Sequence, residues 1–205
     1  MFNKIFKLAF ALLLIVFVFT NSSEAQTKKL TYPIIYISPL IGVQFPIMGL
    51  NDNYKPSWNG GLDVALKINR ETAFFVNGSY YNMPRNTDAA VLSDASYIGI
   101  TAGPRYVFTS PKIKAQGFLE AGAGVFIFNQ KAYTIPSPSL SQPDIIVPNY
   151  SNTLFGVTTG AGVFIPAGDS FDIIMKTILN YTFPSSGAGG SRTFLSARIG
   201  VDFKL

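Results

Sequence analysis

From Leu195 to Leu205 the side chains alternate without a break. Leu195, Ala197, Ile199, Val201, Phe203 and Leu205 fall on one side; Ser196, Arg198, Gly200, Asp202 and Lys204 fall on the other. A period of two means a strand with two unlike faces. One face is apolar along its whole length, and the other carries Arg198, Asp202 and Lys204. Such a strand tolerates no slip, because moving by one residue exchanges the faces. If the apolar face meets lipid, the slip would put Arg198 into hydrocarbon, at roughly 2–4 kcal/mol near the bilayer midplane.

The rest of the chain repeats this pattern. Strands are expected at Tyr36–Phe45, Trp58–Ile68, Glu71–Tyr81, Tyr97–Phe108, Ile113–Phe128, Thr153–Ile165, Phe171–Phe183 and the final stretch. Pro39 withholds a ladder donor from the first, so a bulge is expected there. Phe75 is a misfit on an otherwise polar face of the third. Connections one, three, five and seven are long, whereas two, four and six are short. The fifth, Asn129–Asn152, holds Pro136, Pro138, Pro143 and Pro148 and can be neither helix nor central strand. Even strand number with loop lengths sorted by parity is a property of transmembrane barrels.

Composition agrees. Hydrophobic residues make up 48% and charged residues only 13%, yet past residue 25 no apolar run is long enough for a spanning helix. Residues 1–25 have the parts of a secretory signal peptide: Lys4 and Lys7, an apolar core from Leu8 to Phe19, then Ser23-Glu24-Ala25 before a cut. The core is shorter than the ~20 residues a membrane anchor needs. Residues 26–205 then form one barrel domain. Cysteine is absent, so no disulfide or thiolate site exists. The net charge of +5 is scattered and does not point to nucleic acid.

Two stretches carry a resemblance. Arg198-x-Gly200-x-x-Phe203-x-Leu205 resembles the C-terminal insertion signal of bacterial outer-membrane barrels, although the family usually ends in an aromatic. Gly103-Pro104-Arg105-Tyr106-Val107-Phe108 resembles the Gly-x-Arg-Tyr-x-Phe strand of small eight-stranded barrels of the OmpA/OmpX type. The resemblance implies an all-β, antiparallel, up-and-down transmembrane barrel in the outer membrane of a Gram-negative cell. It implies the barrel-assembly machinery as a partner during insertion, and loops outside the cell that could meet an extracellular ligand. It does not imply one activity.

The inward faces hold the candidate site. Asp63, Glu120, Lys176 and Arg198 fall at similar heights above the short turns, with Arg105 on the same inward surface. An eight-stranded interior is just wide enough for side chains to fill, so these charges should pair across it. Phe45, Trp58, Tyr80, Phe108, Tyr181, Phe183, Phe194 and Phe203 are expected on the outward face as interfacial girdles. A general-base histidine is missing, as the sequence contains none. Asp88, Asp94 and Asp144 lack calcium-loop spacing, and no cofactor or metal is implied. The expected role is a structural or surface-interaction barrel, monomeric, surrounded by outer-membrane lipid. Alternatives are a narrow gated pore and a soluble, lipocalin-like exported binder of a small apolar ligand.

Overall fold

The computed structural model describes residues 32–86, 93–110, 113–135, 144–184 and 192–205. The expected signal peptide, its cut before Gln26 and Asp88 lie outside them. Eight long strands follow the alternating stretches: β1 (Ile34–Ile47), β2 (Ser57–Lys67), β3 (Thr72–Met83), β4 (Ala95–Ser110), β5 (Ile113–Gln130), β8 (Tyr150–Pro166), β9 (Phe171–Thr182) and β10 (Arg192–Lys204). Each pairs antiparallel with its neighbours, and β1 meets β10 to close the barrel. Two short strands, β6 (Tyr133–Ile135) and β7 (Ile145–Val147), form a separate ribbon within the proline-rich connection. One turn of helix, α1 (Leu50–Asn53), sits in the first connection. Neither the ribbon nor the helix shows as a periodic signal, since each is too short to have one.

The short connections are built by local bonds. Asn69 Oδ1 accepts from the backbone N–H of Glu71 (2.9 Å) and Thr72 (2.8 Å), and Ile68 N–H donates to the Thr72 carbonyl at 3.0 Å. This is the side-chain turn chemistry that makes Asn a hairpin residue. No bulge forms at Pro39. Ile37 stands opposite Phe203 and Leu40 opposite Gly200, the same register on both sides. Ser38 and Pro39 simply make no rung to β10, and the Ser38 hydroxyl donates instead to the Asp202 carboxylate. The register does shift near the fourth connection, between Phe108 and Ser110.

The faces sort as the alternation requires. Ile41, Leu62, Val76, Ile100, Leu119 and Ile199 are exposed on the outside. Ser38, Asn59, Asp63, Asn77, Arg105, Glu120, Lys176 and Arg198 are buried within. A soluble ligand-binding barrel would show the opposite arrangement. Toward the long connections the exterior carries Trp58, Tyr80, Tyr181 and Phe183; Trp58 and Tyr80 have ring centroids 5.3 Å apart. Toward the short turns it carries Phe74, Tyr106, Phe108, Phe171 and Phe203. Two aromatic belts flanking an aliphatic band are what a bilayer selects.

Phe194 departs from the expected girdle. It is fully buried inside the barrel, stacked on Tyr97 (centroids 5.4 Å) and edge-on to Tyr81 (4.8 Å). Its parity already opposes Leu195, which faces out. With Phe126, Phe128, Met83 and Leu154 it fills the end of the interior below the long connections, and Leu50 of α1 and Tyr54 pack onto that cluster.

Candidate functional site: the charged lumen

Four of the expected charges meet in a closed ring. Arg105 Nη2 donates to Asp63 Oδ2 and Glu120 Oε2, both at 2.5 Å, and its Nε donates to Glu120 Oε2 at 2.9 Å. Lys176 Nζ donates to Asp63 Oδ2 at 2.7 Å and Glu120 Oε1 at 3.0 Å. Two acids and two bases thus cross-link β2, β4, β5 and β9, with no net charge between them. All four side chains are shielded from solvent. In surroundings of low dielectric, mutual pairing is the condition for holding such charges at all.

The glycines of β8 make room for this ring. Gly160 stands opposite Glu120 on one side and Ile178 on the other, two residues beyond Lys176. A Cβ there would sit 3.1 Å from Glu120 Cγ and 2.9 Å from the Thr177 carbonyl. Aromatic rings close the ring of charges. The Arg105 guanidinium lies 4.7 Å from the Phe118 centroid and 5.2 Å from that of Phe75, and Lys176 Nζ lies 5.8 Å from Phe75. Phe75 is therefore no misfit: a ring face is an acceptable lining for a desolvated cation. Phe118 and Phe164 are missing from the inward set read off the sequence, although their parity with Glu120 and Gly162 marks them as inward.

Arg198 does not join the ring. Its Nε donates to Asn59 Oδ1 at 2.6 Å and its Nη1 to Ser79 Oγ at 2.8 Å and Asn77 Oδ1 at 3.4 Å. The guanidinium lies 5.0 Å from the Tyr81 ring centroid. Gly42 of β1 is the ladder partner of both Arg198 and Asn59. With no side chain at 42, the arginine reaches across a whole strand. Height counted along a strand does not predict such partners, because strands in a barrel are tilted and staggered.

Two further layers bound the interior. Toward the short turns, Lys204 Nζ donates to Asp172 at 2.9 Å and Lys67 Nζ to Gln116 at 3.3 Å. Between them and Arg105 lies a cavity of ≈ 20 Å³, lined in part by Tyr36, Lys67, Gln116 and Asp202, room for about one water. At the other end Arg192 lies 3.9 Å from the Phe128 centroid and donates to the Tyr97 hydroxyl at 2.9 Å. Burial pushes the Tyr54 phenol above its ordinary value, and the Arg192 charge opposes that rise.

The residues resembling the insertion signal divide by face. Phe203 and Leu205 point outward, while Arg198 and Gly200 belong to the inner surface. In the Gly103–Phe108 segment, Arg105 enters the ring, and Tyr106 and Phe108 pack edge-to-face outside with centroids 5.2 Å apart.

An aliphatic exterior between aromatic belts, a paired ionic interior and a closed antiparallel cylinder of eight strands define a small outer-membrane β-barrel. Solved structures agree on the fold. Neisserial surface protein A gives a TM-score of 0.61 at 15% identity, covering 83% of this chain and 97% of that one. A major outer membrane protein from Thermus thermophilus gives 0.58 at 11% identity, covering 83% and 99%. The outer membrane protein OprG from Pseudomonas aeruginosa gives 0.55 at 9% identity, covering 84% and 96%. No protein-family model matches the sequence, and none of the curated proteins compared with it matches.

Proposed function

We propose that this chain is a non-conducting, non-catalytic barrel of the Gram-negative outer membrane, with its lumen plugged by side chains and its long connections serving as contact surfaces outside the cell. The observation that carries the plug is the Asp63–Arg105–Glu120–Lys176 ring, which spans the interior beneath the Phe194 aromatic cluster. Both carboxylates of the ring pair with Arg105 and Lys176, which favours a structural role for them over one as a general base. The barrel works as a monomer in lipid, and the assembly machinery reads Phe203 and Leu205 during insertion.

The contact role rests on the ribbon β6–β7, where Ile145 and Ile146 stand exposed beyond the barrel. The test has two parts. Purified protein in a planar bilayer should give no single-channel current; reproducible openings would overturn the plug. Replacing residues 133–147 by a short Gly-Ser linker should abolish binding to cells or matrix while the barrel still inserts. Unchanged binding would remove the contact role from this connection.

A further inference from the structure

Arg105 and Lys176 each face two carboxylates, but Arg198 faces none: among the described residues no ion pair within 4.0 Å includes it. It is only 3% exposed, its hydrogen-bond partners are neutral, and its Nη2 meets no acceptor. A guanidinium cannot shed its proton to escape this position. Something negative must answer it.

The wall around it has other unanswered donors. Asn59 Oδ1 accepts from Arg198 Nε, which fixes the amide and leaves Nδ2 without a partner. Ser196 lies two residues from Arg198 on the same face of β10, and its hydroxyl is unpartnered. Asn180 of β9 stands opposite Phe194, diagonal to Ser196, and its Nδ2 is unpartnered too. All three residues are at least 99% buried. Among the described residues, two unpartnered acceptors lie elsewhere in the interior: Gln44 Oε1, opposite Ser196 on β1, is neutral, and Asp63 Oδ1 belongs to a carboxylate already paired with Arg105 and Lys176.

We propose that this wall binds a small monovalent anion, chloride under ordinary conditions, held by Arg198 Nη2 and the donors of Asn59, Asn180 and Ser196. One unmatched positive charge calls for one negative charge. The site is separate from the ionic ring and does not depend on whether the lumen conducts.

Bromide is the probe. The refolded full-length barrel, crystallised in sodium bromide, should show an anomalous peak in contact with Arg198 Nη2. Water alone at that place overturns the proposal. In solution the urea midpoint should be higher in sodium chloride than in sodium gluconate at equal ionic strength, because an ion that binds only the folded state stabilises it. The difference should shrink in Ser196→Ala, which keeps the arginine. It should vanish in Arg198→Met if that variant folds. Equal midpoints of the unsubstituted protein in the two salts overturn the proposal as well.

Discussion

Lys176 and Arg198 stand directly opposite each other on β9 and β10, yet their charged ends go to different partners. Lys176 turns to Asp63 and Glu120, while Arg198 crosses Gly42 to Asn59 and Ser79. Like charges on facing positions repel, and the interior resolves this by sending one into the ionic ring and the other into a layer of amides and hydroxyls.

Breaking the ring at one cation should cost more than dismantling it evenly. Lys176→Met leaves Asp63 and Glu120 to share Arg105. The expected loss is roughly 3–5 kcal/mol, the usual result of stranding a buried charge. Adding Glu120→Gln restores neutrality and should recover part of it. Urea unfolding in lipid vesicles, compared across both variants and the parent, measures this.

The glycines separate by what surrounds them. At Gly42 a Cβ would collide with the Ala197 carbonyl, whereas at Gly78 it would meet nothing within 4 Å. Gly42→Ala should therefore destabilise by about 1–3 kcal/mol, as overpacking does. Gly78→Ala should be close to neutral. Equal effects in the same unfolding assay would contradict the packing described for β1.

Lipid exposure predicts a depth profile. Ile100, midway along β4 and facing out, should lose roughly 2–4 kcal/mol on replacement by Arg. Ile68, exposed just past the end of β2, should lose no more than about 1 kcal/mol on the same change. Refolding yields into vesicles of fixed thickness give the comparison.

Trp58 is the only tryptophan in the chain, and it is half exposed on the exterior. Its emission should shift to the blue on insertion and be quenched by brominated lipids, most strongly by those labelled close to the headgroup. Quenching by an aqueous agent instead would place this side of the barrel in water.

The cylinder was legible because alternation, charge and loop parity all pointed one way. Asp63, Arg105, Glu120 and Lys176 sit at inward parities that can be read directly from the residues. Their partners could not be read, since stagger decides which heights coincide, and Arg198 ended beside Asn59 rather than a carboxylate. Phe194 escapes the pattern because an aromatic near a strand end suits a headgroup belt and an interior cap equally well; its parity favours the cap. Pro39 reads as a defect in isolation. The Ser38–Asp202 bond compensates for the missing rung, and that bond joins residues 164 positions apart.

That separation has a temporal meaning. β1 finds its second neighbour only in β10, so the first strand to be made waits for the last. Until they meet, any growing sheet has two raw margins able to pair with a stranger. Closure therefore needs both ends of the cylinder's sequence in place, and the Ser38–Asp202 bond spans that joint.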